Sequence, residues 1–194
     1  LILLEEWRHK VNTTRKDLES LIGKLQFVSK CVRPGRVLIS RLLNFLRGLP
    51  TTGEREIPQE ARMDIRWWYL FMPEFNGESI LHLVQDGEAD YLMATDACEA
   101  GIGAVCDTHY IHAPFPPELQ SQNIAQKEML AIMVALRQWG KKFKGKIVLL
   151  HCDNEACVQV LNSGKAKDKF MQDALREILF ITAKNNTQVR AVHI

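Results

Sequence analysis

Three carboxylates stand where simple hydrophobic patterning would not put them. Asp96 closes the apolar run Tyr91-Leu-Met-Ala-Thr and precedes Ala-Cys-Glu-Ala-Gly101-Ile-Gly103-Ala-Val-Cys106. That pattern reads as strand, turn or bulge, strand. Asp153 ends a second apolar run, Lys146 to Cys152. Glu128 interrupts the apolar stripe of a helix: Ile124, Ala131, Ile132, Ala135 and Leu136 lie at i−4, i+3, i+4, i+7 and i+8. Its carboxylate therefore points at the core or at its edge, while Gln126 and Lys127 fall off the stripe.

A buried carboxylate is paired, protonated or bound to a cation, because an isolated one is costly. Converging carboxylates also raise one another's pKa. Mg2+, a hard cation that takes oxygen ligands, removes the conflict. Two such ions roughly 3.5–4 Å apart activate a water and stabilise the leaving oxygen in phosphodiester cleavage. On this reading Asp96 bridges two Mg2+ ions and Glu128 and Asp153 complete one each, with Mn2+ an acceptable substitute. Taken singly, an Asp at a strand end is commonly a turn or cap residue. Asn154 reads as the cap of the next helix, and Asp90, Asp107 and Glu155 as surface. Glu99 reads equally as loop surface or substrate contact. Strand alternation accounts for His109-x-x-His112 and His151. No Ser-His-Asp set, Gly-rich phosphate loop or zinc spacing is evident.

The elements that must position these residues lie in the order strand, strand, strand, helix, strand, helix, helix, strand. Strands are expected near 90–95, 101–107 and 109–114, stopped by Pro114, Pro116 and Pro117. A long helix follows from about Ile124 to Phe143, with Ser121 and Asn123 as candidate caps. Then come a strand to Cys152, a short helix to about Leu161, a helix from Asp168 to Lys184, and a strand from Thr187 to Ile194. A meander that turns into a βαβ unit makes a mixed sheet flanked by helices, and side chains at the carboxyl ends of parallel neighbours collect there. Asp96 and Asp153 fall side by side if their strands are such neighbours.

Upstream, Thr14-Arg-Lys-Asp17 opens a helix with Leu18, Leu21, Ile22, Leu25 and Val28 at helical spacing. Arg33-Pro-Gly-Arg36 breaks it, and Val37, Leu38, Leu42, Phe45 and Leu46 resume it. Lys24, Lys30, Arg33, Arg36 and Arg41 on this helical hairpin are candidates for a phosphate backbone, against a reading as plain solubility. Residues 49–58 read as a polar linker. A helix from Glu60 to about Phe71 carries Trp67-Trp-Tyr69, expected to pack between domains. Ile80 to Val84 reads as a short extended segment. The resulting division is a basic helical region 1–48, a linker or connection 49–88, and an α/β domain 89–194.

The length of 194 residues suits one large core or a core with an appendage. An apolar fraction of 46% and a charged fraction of 25% exclude disordered and fibrous classes. Charge is uneven: residues 1–50 carry ten Lys or Arg against four Asp or Glu, giving +6, and the rest fifteen against nineteen, giving −4. A basic front on an acidic body suits a phosphate-gripping arm beside a metal-binding domain. No apolar run reaches the roughly 20 residues of a membrane span, so neither span nor signal peptide is expected. The first residue is Leu rather than Met, which reads as a piece of something longer. Five cysteines without a Cys-x-x-Cys pair read as free thiols, buried at Cys98, Cys106 and Cys152. That points to an intracellular, reducing compartment, cytoplasm or nucleus.

Thr95-Asp-Ala-Cys-Glu-Ala-Gly-Ile-Gly-Ala104, Gln126-Lys-Glu-Met-Leu-Ala-Ile132 with Ala135-Leu136, and His151-Cys-Asp-Asn154 resemble the three acidic motifs of ribonuclease H domains from retroelement reverse transcriptases. Leu21-Ile-Gly-Lys-Leu25, Arg33-Pro-Gly-Arg36, Trp67-Trp68 and Phe75-Asn-Gly77 are similar to thumb and connection regions of reverse transcriptases from DIRS-like, tyrosine-recombinase retrotransposons. The resemblance implies a ribonuclease H-like five-stranded mixed sheet over 89–194. It also implies divalent-metal hydrolysis of the RNA strand in RNA–DNA hybrids, with Asp96, Glu128 and Asp153 as catalytic metal ligands. The remainder of a reverse transcriptase polyprotein would then be a partner. No polymerase palm or paired-aspartate motif is present, so DNA synthesis by this chain is not expected. The family's fourth acidic residue would lie beyond Ile194, making the domain C-terminally truncated. Two rivals remain at this point: a catalytically impaired nucleic-acid-binding remnant, and another nuclease or transposase of the same superfold.

Overall fold

A computed structural model describes residues 1–30, 37–74 and 88–194. Cys31, Arg33, Arg36, the Arg33-Pro-Gly-Arg36 turn, Phe75-Asn-Gly77 and the segment expected at 80–84 lie outside the described residues. The chain divides into two compact units, Leu1–Val84 and Gln85–Ile194.

In the first unit, helix α1 (Ile2–His9) is followed by β1 (Asn12–Thr14), α2 (Arg15–Val28), α3 (Ser40–Gly48), β2 (Glu54–Glu56) and α4 (Gln59–Phe71). Thr14 caps α2 by accepting from the Asp17 N–H, as its position before a periodic apolar run predicts. Leu18, Leu21, Ile22 and Leu25 form the buried stripe of α2. They share a core with Leu38, Ile39, Leu42, Ile65 and Trp68. The polar stretch 49–58, read from sequence as linker, also supplies β2, which pairs antiparallel with β1. Two three-residue polar strands carry no periodic signal, so this ladder was illegible. The tryptophan pair is packed inside this unit: Trp68 is enclosed and its Nε1–H donates to the Leu38 carbonyl at 3.0 Å. Trp67 stacks on Phe71 at 4.7 Å.

Asp64 of α4 is 1% exposed yet has a clear structural task. Its Oδ2 accepts the N–H groups of Arg41 (3.0 Å) and Leu42 (3.4 Å) in the first turn of α3. Helix α3 begins after Ile39, whose side chain makes no cap. A carboxylate from another helix fills that role and gains from the positive end of the helix dipole.

The second unit holds β3 (Tyr91–Ala97), β4 (Gly101–Cys106), β5 (His109–Pro114), α5 (Ile124–Trp139), β6 (Ile147–Cys152), α6 (Glu155–Ser163), α7 (Lys169–Lys184) and β7 (Gln188–His193). Its five strands run in the order β5-β4-β3-β6-β7. The first three form an antiparallel meander, and β3–β6 and β6–β7 are parallel. This is the mixed, helix-flanked sheet expected from the sequence. Met93, Thr95 and Ala97 of β3, Val148 and Leu150 of β6, and Ala191 of β7 are buried. Leu92 and Val105, which alternate with buried neighbours, and Tyr110 are exposed. Helix α5 packs on β3 and β4 and against α7.

Asn123 and Gln126 form a reciprocal capping box at the start of α5. The helix ends at Trp139 rather than near Phe143: apolar spacing persists, but the chain leaves the helix at Gly140 and passes through turns to Gly145, at φ +70°. Gly101 is required by close approach, since a Cβ there would strike the carbonyl of Ala113 on β5.

Candidate active site

Parallel pairing of β3 with β6 sets Thr95 opposite Cys152. The next residues, Asp96 and Asp153, therefore leave the carboxyl ends of neighbouring strands together. Both line one open concavity with Ala94, Gly103, Val105 and Tyr110. Alternation along β3 buries Thr95 and Ala97 while leaving Asp96 exposed on the other face.

Glu128 approaches from α5 and is 2% exposed. Its Oε1 accepts the N–H of Ala97, the peptide that follows Asp96, at 2.9 Å. Oε2 is buried and has no hydrogen-bond partner among the described residues. Burial pushes the Glu128 carboxyl up to about 8, partly offset by the Ala97 N–H and reinforced by the negative charges of Asp153 and Asp96. Ligand atoms of Glu128, Cys152 and Asp153 lie within 4.8 Å of one another. Asp96 stands outside that tight group, close enough to act on Glu128 electrostatically. The orphaned Oε2 beside two further carboxylates is a donor set suited to a hard divalent cation.

Cys152, His193 and Lys127 were not expected to take part in the site. Cys152 is buried behind Asp153, with its Sγ accepting from Asn154 N–H at 3.4 Å. His193 on β7 places Nε2 3.0 Å from the Asp153 carbonyl oxygen. The register Cys152 opposite His193 is the reason, and a parallel final strand was the signal available for it. Lys127, read as lying off the apolar stripe, is only 5% exposed, and its Nζ lies 5.5 Å from the Phe115 ring centroid. Asn154 caps α6 through the Cys157 N–H, as expected. Cys98 is exposed at the turn after β3, contrary to its expected burial, whereas Cys106, Cys152 and Cys157 are buried free thiols. Of the basic candidates, Lys24 and Lys30 are exposed and Arg41 half-buried in the first unit.

Strand order and register, with acidic residues at the ends of adjacent parallel strands and a glutamate from the intervening helix, define a ribonuclease H-like fold. Residues 86–179 match the family described as the RNase H-like domain found in reverse transcriptase. Over these residues the chain is similar to the RNase H-like domains found in reverse transcriptases.

Among solved structures, the chain is similar to RNase H1 from the halophilic archaeon Halobacterium salinarum NRC-1, at 13% identity and TM-score 0.44, over 54% of this chain and 84% of that one. LC11-RNase H1, isolated from compost by a metagenomic approach, is similar at 20% identity and TM-score 0.45, over 55% and 85%. A foamy viral protease-reverse transcriptase in complex with double-stranded DNA is similar at 14% identity and TM-score 0.41, over 92% of this chain and 34% of that one. The chain thus spans about a third of that viral protein. These similarities are partial, and the fold assignment rests on strand order, register and the family match. No curated protein matches the sequence.

Proposed function

We propose that the chain hydrolyses the RNA strand of RNA–DNA hybrids in a Mg2+-dependent reaction, as part of a retroelement reverse transcriptase of the DIRS-like kind its upstream motifs resemble. The observation that carries this is the approach of Glu128 and Asp153 within 4.8 Å, with a buried unpartnered Oε2, beside Asp96. Asp96, Glu128 and Asp153 would hold the cations. Bound divalent cations supply Lewis-acid stabilisation of phosphoryl charge and an activated water.

The chain's own groups do the rest. Asp96 and Asp153, both exposed, meet substrate and cation from solvent. The Ala97 N–H holds Oε1 and so aims Oε2 at the same volume. Gly103, paired with Asp96 across the ladder, leaves open space where a side chain would stand. A duplex can therefore lie close to Asp96 and be recognised by minor-groove shape and 2′-hydroxyls rather than sequence.

The test is Mg2+-dependent cutting of a labelled hybrid by the parent chain, Asp96→Asn and Asp153→Asn. Each variant is expected to keep its fold and lose at least on the order of a hundredfold in rate. Unchanged cutting by either variant contradicts the assignment. Salt-sensitive hybrid binding by a parent that never cuts assigns the chain to binding alone.

A further inference from the structure

Helices α1 and α4 enclose a concavity of about 190 Å³ in the first unit, lined by Trp7, Arg8, Gln59, Arg62, Met63 and Arg66. Three arginines line it, and their charges are not equally satisfied. Arg8 pairs with Glu5 at 3.0 Å and lies over the Tyr69 ring at 4.1 Å. Among the described residues Arg62 donates to neutral carbonyls, Ile57 O at 3.1 Å and Val11 O at 3.3 Å, which fix its side chain without cancelling its charge. Arg66 is exposed and makes no hydrogen bond or ion pair among the described residues.

Arg62 and Arg66 are four residues apart on one helix, a spacing at which like charges destabilise the helix. An anion between them reverses that sign. Guanidinium forks match phosphate oxygens two at a time and, unlike an ammonium, hold them in a defined plane. The concavity is smaller than the roughly 300–1,000 Å³ of small-molecule sites. It has room for one phosphate group and not for a whole cofactor.

We infer that the α1–α4 concavity is a phosphate-binding site that grips a single backbone phosphate of a nucleic-acid strand through Arg62 and Arg66, with Arg8 at its edge. Affinity for phosphate rests on the arginines that line the concavity and on the charge left uncancelled at Arg62 and Arg66. The strand as its bearer rests on the hybrid-cutting function proposed above.

The experiment uses the full chain and a fluorescein-labelled RNA–DNA hybrid in chelator, so that binding is read without cleavage. Anisotropy is measured across a salt series. Arg66→Gln is expected to weaken binding severalfold and to lower the slope of log affinity on log salt by about one. Arg66→Glu should weaken it further. Lys16→Gln, the same loss of charge at an exposed position on α2, should change both far less. A parental slope in Arg66→Gln, or an equal loss in Lys16→Gln, overturns the inference. Arg66-dependent affinity for a polyglutamate peptide with none for the hybrid assigns the concavity to an acidic protein segment and overturns it as well. Cutting is assayed separately with Mg2+. Arg66-dependent binding by a chain that does not cut supports this inference while removing the nuclease reading. Cutting with Arg66-independent binding removes this inference alone.

Discussion

Glu128 concentrates the site's electrostatic cost in one side chain. Its carboxyl, ordinarily near 4.5, is held at about 8 chiefly by burial. A raised carboxyl pKa means that the folded state keeps a proton which the unfolded state has released. Without metal, this contribution to stability is fully present below the ordinary value and is lost as pH rises through about 8. Glu128→Gln keeps an oxygen for the Ala97 N–H and removes the titration. In chelator it should match the parent near pH 4 and exceed it above pH 8 by on the order of 1–4 kcal/mol, read from urea unfolding. The side chain was legible in the sequence because a charge in the middle of an apolar helical stripe has no surface explanation. Lys127 was not, since a long aliphatic stem lets an off-stripe residue bury most of itself while its ammonium reaches an aromatic face.

At the scale of elements, cap and strand-end chemistry read well and long-range capping did not. Asn123, Asn154 and Thr14 bond N–H groups three residues ahead, a spacing visible in the chain. Asp64 instead serves the start of α3 from more than twenty residues downstream. In sequence it is one polar residue of an amphipathic helix. Asp64→Ala leaves two N–H groups at the buried start of α3 without their acceptor and should cost about 1–3 kcal/mol. Asp64→Asn, which retains an oxygen, should recover much of that loss in the same thermal or urea unfolding measurement. The end of α5 and the β1–β2 ladder escaped notice for related reasons. Apolar spacing outlives the helix beyond Gly140, and three-residue polar strands have no period.

Across the whole molecule, the sequence showed where strands end but not which strands adjoin. The order β5-β4-β3-β6-β7 turns two separate aspartates into neighbours. Parallel register also brings His193 against the Asp153 backbone, a contact no local motif encodes. In the proposed function, Asp96, Glu128 and Asp153 act together as a divalent-cation site. Titration of the chain with Mn2+, followed by the loss of the free-ion EPR signal, tests it without reference to cutting. The parent should bind Mn2+ and yield it to excess Mg2+, while Glu128→Gln and Asp153→Asn each weaken binding at least on the order of tenfold. Mn2+ affinity equal to the parent's in both variants would contradict the claim.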